Sequence, residues 1–113
     1  MRVAIPVWGN RVSPVFDTAD HLLLVDIENG CEQKREVVRV EDPVPSHRIT
    51  YLNTMGVHLL VCGAITRELE SSIDSDKIKV IPFVCGNVEQ IITALTKGNR
   101  IREMFGMPGR HEH

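Results

Sequence analysis

Apolar and polar positions along the chain fall into short blocks of two kinds. Arg2 to Val7, with its Val-Ala-Ile-Pro-Val run, reads as a strand covered on both faces, with Pro6 placed at the strand end or at a bulge because it cannot donate to a ladder. Trp8 to Asp20 holds no period and carries the turn signals Gly9-Asn10 and Ser13-Pro14. It is longer than the usual connection, and such loops are often functional. His21 to Glu28 is apolar again, and Asn29-Gly30 then predicts a hairpin with Cys31 to Val40 as its antiparallel return. The polar half of that return, Glu32 to Glu36, suits an exposed edge strand.

Asp42 to Ser46 breaks the chain, Ser46 is placed to cap a helix, and Ile49, Leu52 and Met55 recur in steps of three up to Gly56. The stretch Val57 to Thr66 contains the run Leu59 to Val61, read as the central parallel strand, followed by Cys62-Gly63. Thr66 as a cap, acidic Glu68 and Glu70 in the first turn, and a stripe of Leu69 with Ile73 predict the next helix. Ile78 to Phe83 is a further strand, ending in a second Cys-Gly pair, Cys85-Gly86. Asn87 with Gln90 forms a capping-box-like start for a helix carrying Val88, Ile91, Ile92 and Leu95 before Gly98. These elements predict one α/β domain over residues 1–98 and a flexible tail over 99–113. The sheet is mixed and five-stranded, ordered 3-2-1-4-5 with strand 2 antiparallel and three helices covering it, a ribonuclease-H-like motif.

A chain of 113 residues with 42% hydrophobic and 25% charged residues can bury a core without staples. A formal charge of -2 gives no basic field for nucleic acid or a membrane surface. No apolar run approaches the ~20 residues of a span, and the start lacks a signal sequence, so a cytoplasmic protein is expected. Three cysteines then read as reduced thiols.

Nuclease chemistry needs clustered carboxylates, one of them on the first strand, and Met1 to Asn10 has none. The first loop has a single glycine in Trp8 to Ser13 and only a weak claim to bind phosphate. No nucleophile elbow and no His-Glu-x-x-His helix occurs, and no enzymatic activity is expected. The two Cys-Gly corners are the main chemical clue. Ligands sit beyond the carboxyl ends of such strands, neighbouring strands are ~4.8 Å apart, and each thiol precedes a helix start that favours thiolate. Cys62 and Cys85 are thus candidate soft-metal ligands, or alternatively small buried hydrophobes. Cys31, beside the hairpin turn, reads as incidental. Arg11, Ser13 and Asp17 either meet a ligand or satisfy backbone turns. His47 and His58 lack ligand spacing to any cysteine, and each reads as a polar surface or strand-entry residue rather than a ligand. Met104 and Met107 with His111 and His113 make either a soft-donor tail or a solvated terminus.

Val3 to Val7, Val12-Ser-Pro-Val-Phe16, Leu24 to Gly30, Val61 to Ile65, and Val80-Ile-Pro through Gly86 to Glu89 occur in an order and spacing that resemble the dinitrogenase iron-molybdenum cofactor biosynthesis family over Arg2 to about Gly98. The ending Met107 to Gly109 is similar to one subgroup that often continues with cysteine, where this chain has Arg110. The resemblance implies a ribonuclease-H-like fold without nuclease activity that binds an iron-sulfur or molybdenum-iron/copper sulfide cluster and passes it between donor and acceptor proteins. The leading expectation is a non-enzymatic carrier for such a cluster with cofactor contacts at Ser13, Phe16, Asp17, Cys62, Gly63, Cys85 and Gly86, and with metal on Cys62 and Cys85. The family's first loop commonly reads Ser-x-His-Phe, and Val15 stands here in place of that histidine. A monomer or weak dimer is expected, with neither nucleic acid nor membrane as partner. The alternatives are a metal-free module that docks through the edge strand or the Met-rich tail, and a small-anion site at the two helix starts.

Overall fold

The computed structural model describes residues 1–42, 44–74 and 77–107. In order these form β1 (Arg2–Trp8), β2 (Arg11–Val12), a 3-10 turn (Phe16–Thr18), β3 (His21–Glu28), β4 (Cys31–Arg39), α1 (His47–Thr54), β5 (Leu59–Val61), α2 (Arg67–Asp74), β6 (Lys79–Ile81), α3 (Val88–Thr96) and α4 (Ile101–Phe105). The sheet runs β4-β3-β1-β5-β6, with β2 paired onto β1. β3 is antiparallel to both its neighbours, while β1, β5 and β6 are parallel. This is the mixed arrangement expected from the blocks, extended by the two-residue β2.

Helices cover both faces, which is why the central strands read as continuous apolar runs. Val3, Ile5, Leu23, Val25, Leu59 and Val61 pack against Val88, Ile91 and Ile92 of α3 and Ile101 of α4. On the other face Ala4, Leu22, Leu24, Leu60 and Val80 meet Leu52 of α1 and Leu69 and Ile73 of α2. Ser46 precedes α1 without a capping bond from its side chain. Packing of Leu52 and a buried Arg48 holds that helix instead.

Pro6 lies inside β1, opposite Leu22, not at its end. Met1 and Ile27 exchange both their backbone bonds, so alternate residues of β1 turn their N–H away from β3. Pro6 is one of these, and the last β5 partner of β1 is Leu60, opposite Ala4, so its missing donor faces no neighbouring strand. The entry to β1 is tied down more tightly. The Arg2 N–H donates to His58 Nδ1 at 2.9 Å, and the Arg2 guanidinium binds both Asp26 oxygens and the Met55 carbonyl. Of the two roles open to it, surface or strand entry, His58 takes the second.

Hydrogen bonding to Arg2, and then its charge, hold the Asp26 carboxyl below its ordinary pKa of 3.8. Because the native pKa is lowered, the contribution of this pair is complete above the ordinary value and is lost as pH falls through the native one. Wild type is thus expected to exceed Asp26→Asn in urea stability at about pH 7, with the gap shrinking by about pH 2. A gap that stays constant with pH refutes the assignment.

All of β4 is exposed on the sheet edge except half-buried Val38, and Arg35 bridges Glu32 on its own strand to Glu89 on α3. A charged edge of this kind resists pairing with other chains. The segment after Gly98, expected as a flexible tail over 99–113, carries ordered elements in its described part, residues 99–107. Ile101 is only 3% exposed and starts α4, and residues 105–107 then pair antiparallel with the chain at Val84. His111 and His113 lie outside the described residues.

Candidate functional site

The first loop extends the sheet past the carboxyl ends of β5 and β6. Gly9, at a φ of 65°, turns β1 into β2, and the Ser13 N–H returns to the Pro6 carbonyl at 2.8 Å. Two further bonds fix the hairpin to the second Cys-Gly corner: Val12 N–H to the Gly86 carbonyl, 3.0 Å, and Val88 N–H to the Asn10 carbonyl, 2.9 Å. Beyond Ser13 the loop binds the first corner. Ala64 N–H donates to the Pro14 carbonyl and Phe16 N–H to the Ala64 carbonyl, both at 2.8 Å. This parallel bridge requires glycine at position 63. A Cβ there would stand 2.5 Å from the Pro14 oxygen and 2.6 Å from the Ser13 oxygen.

The corners are also joined to each other. Phe83 N–H donates to the Gly63 carbonyl and Val84 N–H to the Cys62 carbonyl, both at 2.9 Å. Phe83 adopts a φ of 61°, a left-handed conformation rare for an aromatic residue. Three loops are thereby stitched into one rim.

The two thiols fare differently. Cys62 is 0% exposed and sits in the core with Phe16, Leu60, Ile65 and Leu69. Burial, and secondarily the carboxylates of Glu70 and Asp17, push its thiol pKa far above the ordinary range. Its sulfur is thus a packed, protonated core group, the smaller-hydrophobe alternative of the sequence reading. Cys85 is half-buried at the rim, next to Gly86 at a φ of 125°. Cys31 is exposed at the opposite end of the sheet, where it pairs with Glu28. Among the described residues no group of three or more His, Cys, Asp or Glu side chains stands close enough to hold a metal ion.

The loop residues split in the same way. Phe16 is buried in the core beneath the Arg48 guanidinium, 5.6 Å from its ring centre. Asp17 accepts the Thr66 N–H at 3.2 Å and the Thr66 hydroxyl at 2.9 Å, so it closes the start of α2 from another part of the chain. Ser13 is buried in the loop's backbone turn. Val15, at 40% exposure, and Trp8, at 75%, face solvent. Arg11 is exposed and bridges to Asn87. The Asn87 side chain accepts the N–H groups of Glu89 and Gln90, as the capping pattern indicated. The Asn87 side chain thus occupies the first-turn donors of α3, while at α2 Asp17 holds the Thr66 N–H just before the helix.

Arg48 went unnoticed in the sequence. It is 5% exposed, donates to the Ala19 carbonyl at 2.8 Å, and keeps one buried guanidinium nitrogen, Nε, without a partner. Burial lowers its proton affinity, opposed by the carboxylates of Asp17, Asp20 and Asp42. Its one visible signal was its place beside Ile49 in the apolar stripe of α1. His47 pairs with Asp42 on the surface, 2.6 Å apart, and takes no part in the rim.

Comparison with known proteins gives a consistent picture. The chain is 28% identical to PH0822, whose crystal structure superposes with a TM-score of 0.83 over 89% of this chain and 94% of that one. It is 23% identical over 103 residues to the uncharacterized protein MJ0580 of Methanocaldococcus jannaschii, covering 87% of each. The apo form of the orange protein from Desulfovibrio gigas shares the fold, with a TM-score of 0.70, 18% identity, and 99% and 96% of the two chains covered. A family model described as dinitrogenase iron-molybdenum cofactor matches residues 1–98. The stitched rim thus lies within the matched part, and the chain belongs to the dinitrogenase iron-molybdenum cofactor family.

Proposed function

We propose that this chain is a non-enzymatic carrier whose cargo is a preformed metal-sulfide cluster, an iron-sulfur or a molybdenum-containing one, received from one cluster-handling protein and passed to another. The observation that carries this reading is the rim itself, three loops locked by backbone bonds with a half-exposed thiol, Cys85, among them. The donor set does not fit a metal ion enclosed by several protein ligands, because Cys62 is sealed in the core. It fits a cluster that brings its own sulfide ligands and takes from the protein one thiolate and a rigid surface. Cys85 is the ligand in this reading, and the backbone from Ser13 to Asp17 with Gly63 and Gly86 forms the seat. Docking with donor and acceptor proteins falls to exposed Trp8 and Val15 beside that seat.

The two thiols give the test opposite readouts. In protein purified without oxygen and reconstituted with iron, sulfide and molybdate, Cys85→Ser is expected to retain at least about tenfold less metal and visible absorption than wild type. It should lose little stability. Cys62→Ser places a hydroxyl in an apolar core and should cost about 2 kcal/mol in urea unfolding while holding wild-type metal under native conditions. A wild type that stays colourless and metal-free ends the carrier reading, and a Cys85→Ser protein as loaded as wild type removes Cys85 from it.

A further inference from the structure

The family match ends at residue 98, yet the chain continues onto the rim. After Asn99 the short helix α4 leads into residues 105–107, which run antiparallel to Phe83–Cys85. Cys85 N–H donates to the Phe105 carbonyl and Met107 N–H to the Phe83 carbonyl, each at 2.8 Å. The Phe105 ring lies 3.5 Å from where a Cβ on Gly86 would be. The residues that flank the one rim thiol are therefore covered by a segment outside the matched domain.

That segment is attached lightly. α4 has five residues and no side-chain cap, with Ile101 fully buried and Phe105 partly so. A cleft of about 480 Å³, lined by Ala94, Lys97, Met104 and Phe105 among others, remains between α3 and α4. Few apolar contacts and an open cleft mark an element that opens well below the free energy of global unfolding. The turn into the strap also depends on one residue. A Cβ on Gly106 would meet the Arg102 carbonyl oxygen at 2.7 Å.

We propose that residues 99–107 form a strap that gates access to Cys85, opening to admit cargo at the rim and closing over its edge. This rests on the reading of the rim as the binding seat, but its test needs no metal. The probe is iodoacetamide, applied to the full-length native protein, with the rate at each cysteine followed by peptide mass spectrometry. Exposed Cys31 and buried Cys62 serve as internal references. Two variants loosen the strap by different means. Gly106→Ala introduces the clash with Arg102, and Met107→Pro removes the donor to Phe83 after a Gly106 whose ψ of 144° suits a following proline.

Both are expected to raise the Cys85 rate roughly five- to tenfold, the effect of losing about one hydrogen bond, with Cys31 unchanged and Cys62 still protected. Unchanged Cys85 rates in both variants overturn the proposal. So does a rise at Cys85 matched by Cys62 in both, since the strap is then part of the global fold rather than a gate. Faster labelling in a protein that never takes up metal would keep the gate and end the carrier reading.

Discussion

Phe16→Ala is expected to lower the free energy of unfolding by about 4 kcal/mol, the upper part of the range for emptying a buried aromatic site. The ring is fully enclosed, carries the Arg48 guanidinium over one face, and shares its cluster with Cys62 and Leu60. Collapse into the void is opposed from both sides. The turn is bonded to Ala64 through the Phe16 N–H, and Arg48 is bonded to the Ala19 carbonyl. In urea this appears as a shifted midpoint at constant slope, and in thermal unfolding as a fall of roughly 15 °C. A loss below about 1.5 kcal/mol would mean that the loop does not pack as described.

Gly63→Ala is the second large effect, arising from overpacking rather than a cavity. The added methyl meets two carbonyl oxygens of the first loop at 2.5 and 2.6 Å, and both belong to backbone that other bonds hold in place. Relief requires breaking the Val15–Ala64 bridge or moving the corner that receives the Phe83 N–H. The expected cost is about 3 kcal/mol, at the top of the usual range for overpacking. Because strain concentrates at the rim, amide exchange should quicken first at Ala64 and Phe16 and least in β3. Uniform acceleration across the sheet would contradict the placement of this contact.

These two positions also show where sequence reasoning reached and where it stopped. The hairpin at Asn29-Gly30 was legible because its positive φ values, 53° and 74°, are demanded by a two-residue turn and supplied by those residues. The strand order followed from apolar runs and one hairpin, and Asn87 announced its own cap. Cys62 was open to two readings, ligand or small buried hydrophobe, and its parity favours the second, since residue 62 shares a face with Leu60 and that face meets α1 and α2. The role of Asp17 was not legible, because its partner Thr66 is distant in sequence and a carboxylate in a loop carries no mark of whom it serves. Neither were β2 and α4. Two residues and five are too short for any period, and both depend on tertiary bonds, from the Val12 N–H to the Gly86 carbonyl and from the Cys85 N–H to the Phe105 carbonyl.

The rim's dependence on distant backbone partners has a consequence for biosynthesis. Strands β1, β3 and β4 are close in sequence and can zip as soon as they leave the ribosome, whereas the rim needs Gly63, Gly86 and the segment bonded to Cys85 to arrive in turn. A nascent chain stalled before residue 86 would hold every strand of the sheet yet lack the Gly86 carbonyl that anchors the first hairpin, so the rim closes only after the sheet's strands have all been made.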